Sequence, residues 1–185
     1  YKEKISMKAK LIGLLILVAL IMAVPTQDVE AAKKGAKSVN SVVSLGLGIN
    51  TIDIMYEKRI SKYNSFTAKV EYYHRYENWD GFGLKASYRW YIKDIIQDGK
   101  SPLEGLSAGP FARYTMWSYS ADNLHASFDG GSSMAIGGEV SYKWLFGGKW
   151  TVEPLVEIGI SLTDPDGFGT MSPFGLTVSV GYVID

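Results

Sequence analysis

Cysteine is absent from the 185 residues, which removes disulfides and thiolate metal sites from consideration. Only two histidines occur, His74 and His125, and no second histidine stands at ligand spacing from either. No metal site and no bound cofactor are therefore expected. A basic excess is also missing: Lys+Arg and Asp+Glu both number 19, which argues against nucleic acid as a partner. Helical periodicity is almost absent along the chain. Past Val24 no apolar run approaches the length a membrane-spanning helix needs, about 20 residues. Any membrane crossing by the rest of the chain must then be made by strands.

The one long apolar run lies near the N-terminus. From Met7 the chain carries Lys8 and Lys10, unbroken apolar residues over 11–24, and then Val29-Glu30-Ala31, a small-x-small cleavage pattern. A run of 14 residues is short for a spanning helix, so residues 1–31 are expected to be a secretory signal with some upstream residues. Residues 32–38 then form a polar, basic, flexible leader, and 39–185 the folded domain. Cleavage after Ala31 removes four Lys and three acidic residues, which leaves 15 cations against 16 anions.

From residue 39 onward the period is two nearly everywhere. Eight strands are predicted, over about 39–50, 52–60, 66–75, 82–90, 106–114, 136–144, 150–161 and 174–184. In the first, Val43, Leu45, Leu47 and Ile49 alternate with Ser44, Gly46, Gly48 and Asn50. In the seventh, Val152, Pro154, Val156 and Ile158 alternate with Thr151, Glu153, Leu155 and Glu157. Strands of this length cross a bilayer when tilted, which takes about 9–11 residues. The even count brings both chain ends to one side. Short turns after the second and sixth strands and long loops over 118–133 and 163–172 fit the asymmetry of outer-membrane barrels. The 13-residue connection after the fourth strand departs from it. The expected architecture is an all-β, eight-stranded antiparallel up-and-down transmembrane β-barrel.

Alternation alone leaves open which face is outside, because a soluble lipid-binding periplasmic barrel also alternates, with its apolar residues inward. Three observations favour lipid outside. The polar face is rich in small residues such as Gly46, Gly83, Gly109, Gly159 and Gly181, which suits a crowded narrow lumen. The large aromatics of the apolar face fall toward strand ends: Phe66, Trp90, Trp144, Trp150 and Tyr182 toward one, Tyr72, Phe82, Tyr114 and Phe174 toward the other. Two such girdles are what amphipathic rings at two bilayer interfaces produce. Finally, the polar face collects Asp53, Glu57, Arg59, Lys69, Glu71, Arg75, Lys85, Arg89, Arg113, Glu139, Lys143, Glu153 and Glu157, whereas the apolar face carries Lys58 near a turn. Inward charges of both signs imply a mutually paired network.

Gly109-Pro110-Phe111-Ala112-Arg113-Tyr114, Gly138-Glu139-Val140-Ser141-Tyr142-Lys143-Trp144, Glu153-Pro154 and Gly181-Tyr182 together resemble the small outer-membrane β-barrel families akin to OmpX and OmpW. The resemblance covers most of the chain after residue 38. It implies the fold, a bacterial outer-membrane location, contact with membrane lipid and lipopolysaccharide, insertion by the barrel-assembly machinery, and a monomeric state. It also implies a terminal aromatic read by that machinery; here Tyr182 stands three residues before Asp185. No activity follows from it, and a structural, surface-interaction or envelope role without catalysis is expected.

One enzymatic alternative is spelled out by His125-Ala126-Ser127 and Glu139. His and Ser two apart point the same way in extended chain, and a carboxylate orienting the His would complete a nucleophilic triad. The spacing is similar to that of lipid A deacylase barrels, although that resemblance implies a site nearer the C-terminus. Short triplets in Ser- and Gly-rich loops arise easily by chance. Asp164-Pro165-Asp166-Gly167 and Asp129-Gly130-Gly131 are read as turns rather than calcium sites, since neither matches an ion-binding loop.

Overall fold

A computed structural model describes residues 39–75, 79–92, 101–119, 131–163 and 174–184. The strands are β1 (Ser41–Gly48), β2 (Thr51–Arg59), β3 (Asn64–Arg75), β4 (Trp79–Tyr91), β5 (Gly105–Tyr119), β6 (Ser132–Phe146), β7 (Trp150–Ser161) and β8 (Phe174–Val183). Each pairs antiparallel with the next, and β8 pairs back onto β1, so the sheet closes into a barrel. Closure leaves no open edge and satisfies every ladder without water.

The register fixes the tilt. From Gly48 the ladder runs through Thr51, Tyr73 and Gly81 to Trp117 on β5. The other way round, through Thr177, Leu155 and Ser141, it reaches Ser107. The two arrivals on β5 differ by ten residues, and this is the stagger that closure imposes. Shared over eight strand steps, a level line drops about 1.25 residues per strand. By that measure the ends carrying the chain termini, at Ser41, Arg59, Asn64, Tyr91, Gly105, Trp150 and Val183, lie close to one height. The far rim slopes instead, from a low lip at Gly48 and Thr51 to a tall wall formed by β3 to β6 and highest at β5.

Local chemistry sets the tight turns. Gly147 and Gly148 take φ of 57° and 68°, and Lys149 N donates to Phe146 O at 3.1 Å. Two successive left-handed residues make the hairpin twist that favours strand pairing, and glycine adopts them without steric cost. At the low lip Asn50 takes φ 62°, a conformation that asparagine tolerates better than most residues.

Two sequence expectations need correction. β5 and β6 run on to Tyr119 and back from Ser132, past the expected 106–114 and 136–144, because Thr115 and Met116 pair with Ser133 and Ser132. Serine-rich composition hid that pairing. Trp79, Asp80 and Gly81, read as a turn, belong to β4 and pair with Arg75, His74 and Tyr73. The connection after β4 is long, as expected, and its residues 101–104 are described. Its Leu103 packs with Val39, Val42, Tyr91 and Val183 in a buried apolar cluster that closes the terminal end. The Ile95-Ile96 pair expected to make a helical turn there lies outside the described residues.

The faces are now distinguishable. Aliphatics point out and stay exposed, with Leu47 at 62% and Ile158 at 64%, while Arg89 and Lys143 point in at 0%. A soluble carrier would reverse this, with aliphatics lining a cavity, so the carrier alternative is overturned. Large exposed aliphatics at alternate positions around the whole wall require a solvent other than water.

Candidate functional site

Glu57 stands at the terminal end of the interior, on β2. It accepts hydrogen bonds from Ser65 Oγ at 2.5 Å and Tyr91 OH at 2.7 Å, and it pairs with Lys143 and, at 3.4 Å, with Arg89. Arg89 is the hub. Its Nη1 donates to Glu153 Oε1 at 2.7 Å and its Nε to Glu139 Oε1 at 2.6 Å, and Lys143 reaches Glu153 at 3.1 Å. Lys85 Nζ continues the chain, 2.6 Å from Glu139 Oε2 and in contact with Glu157. Arg113 takes over from there, holding Glu157 and forking onto Glu71 through Nε at 2.7 Å and Nη2 at 3.0 Å. Lys69 pairs with Asp53 at 3.2 Å beside this run. Five cations and six carboxylates from β2 to β7 are linked in this way.

The sign pattern is lopsided. Lys69 and Lys85 are direct cross-strand partners, as are Lys85 and Arg113, so β3 to β5 present a row of cations. Asp53 with Glu71, and Glu139 with Glu157, are like-charge partners too. Adjacent like charges destabilise a sheet; the long side chains offset this by pairing across the lumen. Room for that comes from small residues opposite: the Asp53 carboxylate lies over Gly46, and the Glu157 side chain over Gly175. The lumen is thus filled by side chains, as expected of eight strands.

Of the expected network, Arg59 is buried on the interior face near the terminal end, and no carboxylate among the described residues pairs with it. The side chain of Arg75 lies outside the described residues. The outward aromatics are placed as follows. Tyr72 and Phe82 are cross-strand partners, Tyr114 pairs with Leu84, and Phe174 with Ile158; with the stagger applied, these four fall at nearly one height. Trp90, Trp144, Trp150 and Tyr182 are exposed near the terminal end, with Trp150 against Tyr182 at 5.1 Å between ring centroids. Phe66 sits slightly higher, partly covered beside Tyr88.

A feature missed in the sequence lies just above the far aromatic ring. Tyr72 OH donates to Asp80 Oδ1 at 2.9 Å, and His74 Nδ1 lies 2.9 Å from the same oxygen. Lys58 is therefore joined on the outer wall by Asp80 and His74, both toward the rim. Reading residue 80 as a turn concealed this.

The triad reading loses its acid. Both Glu139 oxygens are engaged, by Lys85, Arg89 and Ser87, and the residue is buried at mid-barrel. It lies eight residues along β6 from Gly131, roughly 26 Å at strand rise. His125 and Ser127 are outside the described residues. Among the described residues no cluster of His, Cys, Asp or Glu suits a metal ion.

A closed eight-stranded barrel with a charged, filled interior and an aliphatic outer wall is the architecture of the small outer-membrane β-barrels. No protein-family model and no curated protein matches the chain. Among solved structures it is similar to Neisserial surface protein A, at 12% identity and TM-score 0.54, over 79% of this chain and 96% of that one. It also aligns with the N-terminal β-barrel domain of Pseudomonas aeruginosa OprF, at 13% identity and TM-score 0.48, over 80% of this chain and 100% of that one. OprG from the same organism aligns at 7% identity and TM-score 0.47, over 81% and 98%. The shared fold rests on the first of these.

Proposed function

We propose that this chain is a monomeric integral protein of a bacterial outer membrane, with a structural, surface-interaction or envelope role and no catalytic step of its own. The observation that carries this is the inversion of its faces: charges sealed within, aliphatics exposed without. In hydrocarbon the outer wall is solvated and the inner charges are shielded, and the aromatic rings at two heights sit at the two interfaces. The reading includes export on a cleaved signal over 1–31, insertion by the barrel-assembly machinery, and lipid and lipopolysaccharide around the wall. The terminal end then faces the periplasm, and the tall wall of β3 to β6 stands toward the exterior.

Comparison of boiled and unboiled samples on a gel, after detergent extraction of membranes, tests it. A faster unboiled band in the outer-membrane fraction is expected. A soluble species with no boiling-dependent shift would contradict it.

A further inference from the structure

Above the charged lumen, on the inner face of the tall wall, two aromatic rings meet. Tyr73 of β3 and Trp117 of β5 lie 5.4 Å apart between centroids, inclined at 50°. Gly81 on β4 separates them in register. It is what lets the Trp117 ring lie against the wall, since a Cβ there would come within 2.7 Å of that ring. The rings are anchored from below and beside. Tyr73 OH donates to Glu71 Oε2 at 2.6 Å, and Trp117 Nε1 donates to Ser133 Oγ at 3.1 Å. Both rings keep part of their surface open, unlike the charges beneath them.

We propose that Tyr73 and Trp117 form a platform for a neutral sugar ring presented from outside the cell. The proposal rests on the far end being the exterior one. Three features set the ligand class. Large amphipathic rings offer flat apolar faces with a polar edge, which match the C–H face and hydroxyl rim of a pyranose. Hydroxyls lie beside them: Thr51, partly exposed, is the direct cross-strand partner of Tyr73, and Ser133, also partly exposed, stands beside Trp117 and accepts from its Nε1. The floor presents no unmatched charge, because Arg113, beneath the Tyr73 ring at 5.9 Å, is held by Glu71 and Glu157. Among the described residues an anionic ligand would meet no spare cation there. Among the described residues the sloping rim leaves the platform uncovered over the low lip at Gly48 and Thr51.

The test uses the full-length protein in detergent micelles, labelled and applied to an array of immobilised neutral oligosaccharides beside sulfated and sialylated ones. Binding to one or more neutral glycans is expected, reduced at least ten-fold by Trp117→Ala and by Gly81→Ala, and unchanged by Trp150→Ala on the outer wall. The boiling-dependent gel shift reports separately that each variant folds. Gly81→Ala keeps both rings and displaces one, so it tests placement even where Trp117→Ala fails to fold. Binding only to anionic glycans, binding to none, or equal binding by all variants would overturn the proposal. Neutral-glycan binding in micelles without binding by intact cells would leave the platform standing and contradict the assignment of the far end to the exterior.

Discussion

Lys85 Nζ lies between Glu139 and Glu157, two carboxylates that face each other directly across β6 and β7. The lysine comes from β4, on the other side of the lumen. One cation thus cancels a like-charge contact between neighbouring strands and ties opposite walls together. Burying such charges gains little net stability by itself, but removing one partner leaves the others unpaired where water cannot reach them.

Lys85→Met should therefore lower the stability of the folded barrel by about 3–5 kcal/mol, read as a drop in the urea midpoint of the boiling-sensitive band. Adding Glu157→Gln to Lys85→Met should recover part of the loss, because the repulsion between the two carboxylates goes with it. A single variant as stable as the parent would mean that the cross-lumen pair is not formed.

Charges placed on the outer wall should be penalised by depth. Ile54→Arg, near the middle of the aliphatic band, is expected to cost about 2–4 kcal/mol, and Phe174→Arg, at the aromatic ring, about 0–1 kcal/mol. Unfolding from lipid vesicles measures both. Equal costs at the two positions would show that the wall does not meet hydrocarbon.

Leu103 closes the terminal mouth against Val39, Val42, Tyr91 and Val183. Leu103→Ala should destabilise by about 2–5 kcal/mol, the range for truncating a packed leucine, with strand content unchanged by circular dichroism. No change in unfolding midpoint would show that the connection after β4 does not pack there.

A lumen of eight strands crossed by ion pairs is too narrow for a wide aqueous pore. Planar bilayers containing the protein should show no steady single-channel current. A persistent open conductance would contradict the filled interior.

What the sequence disclosed follows from periodicity, and what it hid follows from register. Alternation in Val43-Ser44-Leu45-Gly46 and its counterparts was enough to sort residues by face, because side-chain direction in a strand depends on position alone. That Lys85 and Arg113 are neighbours, or that both reach Glu157, depends on how separate strands slide past each other, and nothing within either strand records it. The same limit hid the Tyr73–Trp117 pair, which depends on the registers of β3 with β4 and of β4 with β5, both of which place Gly81 between the two rings. Strand ends were misjudged where composition and pairing disagree, at Ser132 and Asp80. The burial of Leu103 was hidden because its partners, Val39 and Val183, lie at the far ends of the described chain.

Absence of cysteine makes the central claim directly measurable, since each single cysteine introduced is the only one. Spin labels placed one at a time over positions 52–59, with the protein in lipid vesicles, report accessibility to oxygen in the bilayer and to a water-soluble nickel complex. The expected result is strict alternation: even positions such as Ile54 and Tyr56 open to oxygen, odd positions such as Asp53 and Glu57 closed to both. Nickel reaching the even positions at mid-strand, or oxygen reaching the odd ones, would show that the faces are not arranged with aliphatics in lipid and charges sealed within.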